Sequence, residues 1–206
     1  KKDIINLLRT LSANSDVVII SGRDKKFLEK WFGNLNITLF AEHGHFEKKA
    51  DQNWTENNIN NNSWKNNFIP IFQNFTDRTP GTFIEEKESC LVWHYRKTDP
   101  ELANDRVVEL KTIINSLISE NLLMMDNKKA IEITNVNTNK GTAVNSILKE
   151  RNYDFILCAG DDVSDENMFS VLSNKGYTIK VGGQTTKANF FVENNLKIIE
   201  ILKELC

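Results

Sequence analysis

No charge of one sign dominates this chain. Its 206 residues carry 26 Lys and Arg against 28 Asp and Glu, a net charge of −2. That balance gives no electrostatic pull toward nucleic acid or a membrane surface, so neither is expected as a partner. Cysteine is scarce and odd in number: Cys90, Cys158 and Cys206 lie far apart. This argues against a disulfide framework and for a reducing, cytoplasmic location. Cys158 sits inside an apolar run and reads as a small core hydrophobe. No long apolar run, secretion signal or internal repeat is present, which removes a membrane span or a solenoid from consideration. Cys and His show no metal-ligand spacing. His43 therefore reads as a packed, hydrogen-bonded histidine. N-x-S/T triplets such as Asn53-Trp54-Thr55 read as chance in an Asn-rich chain.

What is there has ordinary globular proportions, 40% apolar and 26% charged, enough for one domain or a core with an inserted subdomain. The chain begins Lys1-Lys2-Asp3 and enters at once a helical stripe of Ile4, Ile5, Leu7, Leu8 and Leu11. We expect a piece of a longer protein, or one whose start lies upstream.

The organising stretch is 155–166. Phe155 to Ala159 reads as a fully buried strand that ends at Gly160 and delivers Asp161 and Asp162. Ser164 and Asp165 look like N-cap chemistry for a helix with Met168, Phe169 and Leu172 inward. Carboxylates at a strand's carboxyl end occupy the edge where α/β sheets bind ligands, and Mg²⁺ is held by a few such oxygens plus water or phosphate. The alternative is a solvated strand–turn–helix junction. A second buried strand is expected at 16–20, ending in Ser21-Gly22-Arg23-Asp24. A hydroxyl, neighbouring N–H groups and a helix N-terminus suit a phosphate oxygen there. The alternative is Asp24 as a plain N-cap. Phe27, Leu28, Trp31 and Phe32 give the next helix an apolar face, and 37–41 is a third strand.

From Gly44 the pattern changes. A short exposed strand at 46–49 and an Asn-rich loop with Trp54, Ile59 and Trp64 lead to a helix at 63–78. Pro70 is expected to kink or start it. A hairpin at 82–96, a helix from Asp99, and strands at 122–125 and 130–134 follow. This is an inserted α+β unit, bounded at 45–136, between two parts of a parallel-sheet core, 1–44 and 137–206. The core resumes with a helix opened by Asn139-Lys140-Gly141, then the organising strand, a strand at 177–181, a short one at 189–192 and a terminal helix.

Ser21-Gly22-Arg23, Lys140 and Gly160-Asp161-Asp162-Val163-Ser164-Asp165 resemble motifs II, III and IV of haloacid-dehalogenase-like phosphatases. The insert resembles that superfamily's second cap type. Finer matches resemble the trehalose-6-phosphate phosphatase family over nearly the whole chain: V-V-I-I-S-G-R-D (17–24), F-L-E-K-W-F-G (27–33), A-E-H-G (41–44), W-K-N-N-F-I-P-I-F (64–72), R-T-P-G-T-F-I-E-E-K-E (78–88), W-H-Y-R-K-T-D-P-E (93–101) and G-D-D-V-S-D-E-N-M-F (160–169). Two departures stand out. The family's first motif, D-x-D-G-T, is absent. Glu132-Ile133-Thr134-Asn135 stands where Glu-Val-Arg-Pro is common, so Glu132 matches and an Arg does not.

The resemblance implies an α/β core of Rossmann-like type with an α+β cap, and Mg²⁺-dependent hydrolysis of trehalose 6-phosphate through an aspartyl phosphate. The nucleophile would lie upstream of Lys1, so residues 1–206 alone would be inactive. Asp161 would be a metal ligand, with Asp162 and Asp165 beside it. Lys140 would neutralise the phosphate, Ser21 would bond a phosphoryl oxygen, and Arg23 would pair with the phosphate or a carboxylate. Glu85 and Lys87 share a strand face by the period-two rule. With Glu132 they would read the glucose hydroxyls, and His94 and Arg96 are further candidates. A fused or associated trehalose-6-phosphate synthase is the implied partner. The alternatives are a non-catalytic regulatory module of a trehalose-synthesis complex, or another sugar phosphatase of the superfamily.

Overall fold

Two different packing problems are solved in this chain, one around a parallel sheet and one around an antiparallel one. The structure, a computed structural model, describes residues 2–57, 62–183 and 185–206. Ile59 lies outside the described residues. Contacts divide the chain into one unit of Lys1–Asn57 with Asn139–Cys206 and a second of Asn58–Thr138.

The first unit begins with α1 (Lys2–Asn14), β1 (Val18–Ile20), α2 (Lys25–Phe32) and β2 (Thr38–Ala41). Asp24 Oδ1 caps α2 by accepting from the Phe27 N–H at 2.7 Å. β1 and β2 run parallel, with Ile20 opposite Phe40. β3 (Phe46–Lys48) then pairs antiparallel with β2, and β4 (Thr55–Glu56), which periodicity did not show, pairs with β3. That pairing keeps residues 45–57 with the first unit, so the chain leaves at Asn58 rather than at 45. It returns at Asn139, two residues after the expected 137.

The rest of this unit is α5 (Lys140–Glu150), β9 (Leu157–Gly160), α6 (Glu166–Leu172), β10 (Tyr177–Val181), β11 (Phe190–Val192) and α7 (Asn195–Lys203). β9, β10 and β11 form a second parallel sheet in the order β11-β10-β9. Among the described residues, β1 and β9 are therefore edge strands of separate sheets. This corrects two expectations. The strand expected at 155–159 is neither fully buried nor quite there: β9 spans 157–160, Ala159 is exposed, and Phe155 stands 52% exposed ahead of it. β1 is likewise only half-buried. An edge strand covered on one side cannot bury both its faces and its edge. Ile20, Leu148, Ile156 and Cys158 nevertheless gather around buried Val144, Met168 and Leu172. The apolar face expected for α2 is only partly used, since Phe27 and Trp31 remain about two-fifths exposed and Leu28 is buried.

The second unit contains α3 (Lys65–Asp77), β5 (Phe83–Glu86), β6 (Cys90–His94), α4 (Pro100–Leu117), β7 (Leu122–Asn127) and β8 (Ala130–Asn135). Pro70 lies inside α3 rather than at its start. The sheet is antiparallel in the order β5-β6-β8-β7. Leu91, Trp93, Ile131, Ile133 and Leu122 point to one face and pack with Phe68, Phe72, Phe75, Leu110 and Ile114 of the two helices. Strand alternation then sends Phe83, Glu85, Val92, His94, Ala130 and Glu132 to the opposite face. The registers agree: Glu85 lies opposite Val92, and Val92 opposite Glu132.

Candidate active site

The carboxyl ends of β1 and β9 and the head of α5 are joined by a chain of close contacts. After β1 the loop 21–23 is stitched to the loop after β2. The His43 N–H donates to the Ser21 carbonyl at 2.9 Å, and the Glu42 N–H to the Arg23 carbonyl at 3.0 Å. Glu42 and His43 both hold positive φ, 48° and 60°. Non-Gly residues in that region store strain, which gathers where a loop is functionally placed. Gly22 is required by the same packing, because a Cβ there would lie 2.5 Å from His43 Nε2. The expectation that His43 is a packed histidine agrees with this. Gly44 in turn presses on α5, where a Cβ would stand 2.9 Å from that of Ala143.

α5 is opened by a reciprocal cap: Asn139 Oδ1 accepts from the Thr142 N–H at 3.0 Å, and Thr142 Oγ1 accepts from the Asn139 N–H at 3.3 Å. Lys140 at its first position is buried, and its Nζ donates to Asp165 Oδ1 at 2.6 Å. The other oxygen, Asp165 Oδ2, accepts from the Asp162 N–H at 2.8 Å. Both oxygens of Asp165 are thus committed, one to an ammonium and one to the backbone. Asp162 caps the short 3-10 turn at 163–165 by accepting from the Val163 N–H at 2.8 Å. Asp165 holds the N-cap position expected of it ahead of α6, but makes no side-chain cap bond to that helix and instead closes a reciprocal capping box with Asp162 on this turn. Sequence position alone could not separate three polar residues within four positions. Gly160 lets Asp165 fold back, since a Cβ there would meet Asp165 Cγ at 2.3 Å.

Asp161 is exposed, and its carboxylate takes no hydrogen-bond donor among the described residues. Its carbonyl, with that of Asp162, is gripped by a residue that sequence reasoning missed. Lys180, buried in β10, donates from Nζ to the Asp161 carbonyl at 2.9 Å and to the Asp162 carbonyl at 3.2 Å. Glu166 completes the arrangement. It lies 3.5 Å from Lys180 Nζ and accepts from the Thr186 hydroxyl at 2.9 Å and the Lys187 N–H at 2.7 Å. Burial pushes the Glu166 carboxyl upward, but the Lys187, Thr186 and Lys180 donors outweigh it and hold the group below its ordinary value. The early signal for Lys180 was a charged residue between two aliphatic ones, Ile179 and Val181, in a strand. Cys158, in β9, is pushed up to about 12 by burial and then by the Asp165 carboxylate, against the pull of Lys140. It is an inert thiol.

Other candidates fall elsewhere. Ser21 Oγ accepts from the Arg23 N–H at 3.2 Å. The Arg23 guanidinium lies over the Phe27 ring at 5.0 Å, rather than against a carboxylate. In the second unit, His94 Nε2 meets Glu85 Oε2 at 2.8 Å, and its ring stacks on Phe83 at 4.5 Å. Glu132, almost fully buried, accepts from Asn127 Nδ2 at 2.8 Å. Lys87 follows β5 at the hairpin tip, where its N–H donates to the Cys90 carbonyl at 3.0 Å. Arg96 instead donates to the Lys128 carbonyl at 3.2 Å and ties down the β7–β8 turn. Glu85, His94 and Glu132 thus share the sheet face opposite the two helices, and Arg96 does not join them.

Whether Mg²⁺ suits these residues can be judged from the donors. Among the described residues no three Asp, Glu, His or Cys side chains converge on one point. Asp161 is open, Asp162 has one oxygen on its own turn, and Asp165 is closed by Lys140. One or two carboxylate oxygens fit a hard cation that keeps water and phosphate oxygens as its other ligands. They do not make a protein-only cage.

A strand-end hydroxyl, a lysine heading the next helix and a strand-end Gly-Asp-Asp place this fold among the haloacid-dehalogenase-like α/β proteins. A haloacid dehalogenase-like hydrolase from Bacteroides thetaiotaomicron superposes with a TM-score of 0.74 over 100% of this chain and 92% of its own. At 9% identity, that likeness speaks for the fold alone. The chain belongs to the trehalose-phosphatase family, whose model matches residues 1–195. The C-terminal domain of Candida albicans trehalose-6-phosphate phosphatase superposes with a TM-score of 0.89 at 32% identity, over 100% of this chain and 83% of its own. A Dictyostelium discoideum alpha,alpha-trehalose-phosphate synthase [UDP-forming] B is 39% identical over 99% of this chain but only 27% of its own length. The chain thus spans about a quarter of that curated relative.

Proposed function

We propose that this chain is the phosphatase portion of a protein that hydrolyses trehalose 6-phosphate to trehalose and phosphate. The observation that carries the reading is the buried Lys140–Asp165 pair at the head of α5, knit to the loops that present Ser21 and Asp161. A cation held at a helix N-terminus suits a phosphoryl group, and phosphoryl transfer asks mainly for positioning and charge neutralisation. In this reading Lys140 holds the phosphate oxygens and Ser21 donates its hydroxyl to one of them. Asp165 orients Lys140 and is not itself a metal ligand. Mg²⁺ would sit against Asp161, with Asp162 adjacent, and would supply charge neutralisation at the phosphate.

The attacking carboxylate is assigned to a strand N-terminal to Lys1 that runs between β1 and β9. What supports this is that both strands are half-buried sheet edges, and unpaired edges call for a partner. That carboxylate attacks phosphorus, the sugar hydroxyl leaves, and water then cleaves the aspartyl phosphate. The glucose hydroxyls are assigned to Glu85, Lys87 and Glu132, with His94 setting the orientation of Glu85. A synthase region fused or associated with this chain is the assigned partner, supported by its likeness to a relative named a trehalose-phosphate synthase, and three free thiols fit a reducing cytoplasm. Among the described residues no helix is long and apolar enough to cross a membrane.

The test compares residues 1–206 with the full-length protein. We expect no phosphate release from residues 1–206, and Mg²⁺-dependent release from the full-length protein with trehalose 6-phosphate well ahead of glucose 6-phosphate. In the full-length protein, Glu85→Ala should lower kcat/KM for trehalose 6-phosphate by roughly ten- to a hundredfold, the worth of a charge-assisted hydrogen bond. It should spare p-nitrophenyl phosphate. Equal losses on both substrates would remove the sugar-reading role, and no preference over glucose 6-phosphate would remove the substrate assignment.

A further inference from the structure

The hairpin tip between β5 and β6 offers three successive carbonyls, and each faces a side-chain donor. Lys65, in the first turn of α3, donates from Nζ to the carbonyl of Lys87 and, at 2.9 Å, to that of Glu88. Asn62 Nδ2 donates to the same Glu88 carbonyl at 2.8 Å. On the far side Thr134 Oγ1 makes a long 3.5 Å contact to the Ser89 carbonyl. Lys65 is only 5% exposed. The Glu86 carboxylate lies 3.8 Å away, close enough for an ion pair but too far for a hydrogen bond. Taking an ammonium out of water is costly unless its donors are met. Bonded here to two carbonyls, the buried charge holds the backbone of 87–88 against α3.

From this we infer that Lys65 is a positioning residue that sets the sugar specificity of the proposed reaction by clamping the hairpin tip that carries Lys87. The inference rests on the assignment of Lys87 to sugar recognition. The clamp grips the main chain and leaves the direction of the Lys87 side chain to the turn geometry. Without this clamp the tip, where the Lys87 N–H donates to the Cys90 carbonyl, would sample more orientations. Each wrong one weakens substrate binding without touching the groups that act at phosphorus.

The experiment uses the full-length protein and two substrates, trehalose 6-phosphate and p-nitrophenyl phosphate. Lys65→Met keeps the aliphatic stem and removes the donors, and Lys65→Arg keeps donors. We expect Lys65→Met to raise KM for trehalose 6-phosphate by about tenfold, with kcat within about twofold, and to leave the aryl substrate unchanged. Lys65→Arg should recover most of the loss. Should Lys65→Met not fold, Asn62→Ala removes the other donor to Glu88 and should raise the same KM by about threefold, again sparing the aryl phosphate. An unchanged KM, or equal losses on both substrates, overturns the inference while the wild-type preference for trehalose 6-phosphate stands. A wild type with no such preference overturns the functional reading itself, and this inference with it.

Discussion

Replacing Asp165 by Ala removes two contacts at once, the 2.6 Å bond to Lys140 Nζ and the 2.8 Å bond from the Asp162 N–H. The lysine left behind is only 8% exposed. Stranding one partner of a buried ion pair costs about 3–5 kcal/mol, far more than the pair's net worth against apolar replacement. The lost turn bond adds about 1 kcal/mol. With a denaturant slope of about 2 kcal/mol per molar urea, the unfolding midpoint should fall by roughly 2–3 M. Lys140→Met strands the carboxylate and should cost a similar amount. The double variant Lys140→Met/Asp165→Ala strands neither, and should recover about 2–3 kcal/mol against the sum of the two single losses. Urea titration of the four proteins by circular dichroism measures all of this. A shift below about 0.5 M for Asp165→Ala, or single losses that simply add, would show that the two charges are not one buried unit. Asp165 would then be available to a metal after all.

Two further outcomes follow from titration. Glu166 sits below its ordinary value of 4.5 in the folded protein, so its stabilisation is present above that value and is lost as pH falls through the lower folded value. Glu166→Gln should therefore flatten the acid limb of the stability curve below about pH 4.5, as read by thermal unfolding across pH, and an unchanged limb would remove Glu166 from the account. Cys158, pushed up to about 12, should resist iodoacetamide at pH 8 while exposed Cys206 reacts. Peptide mapping that finds Cys158 labelled as fast as Cys206 would refute its burial beside Asp165.

How much was legible depended on how local each signal was. The order of the parallel strands and the α5 cap come from patterns a few residues long and appear within two residues of where those patterns put them; that Glu132 shares a face with Glu85 needed the register across β6. The limit of the insert was not legible in this way. Residues 46–49 read as a short exposed strand, yet Phe46 is buried, and only the pairing of 46–48 with β2 shows that it stays with the first unit. The depth of β1 and β9 was overstated for a related reason. Apolar runs such as V-V-I-I report what a strand is able to bury, whereas exposure is decided by the neighbours it has. The placement of Arg96 and Arg23 was likewise unreadable. Long side chains choose among acceptors and rings within several ångströms, and here they choose the Lys128 carbonyl and the Phe27 ring.

The least legible residues are two buried lysines that hold loop backbone. Lys180 and Lys65 belong to different units and different element types, yet each sends a buried ammonium to two consecutive backbone carbonyls. Lysine suits this because its stem packs like an apolar chain while its head offers three donors. A carboxylate or amide clamp would compete for the same donors as the loop's own side chains. A clamp on carbonyls does not, so Asp161 can be fixed in position with its carboxylate still uncommitted. The same logic separates Asp161 from Asp165 within the stretch 160–165: the first is held by its backbone and leaves its carboxylate exposed, and the second uses its charge to hold Lys140. Two carboxylates four residues apart acquire different chemistry because different parts of them are restrained, and burial, not residue type, decides which.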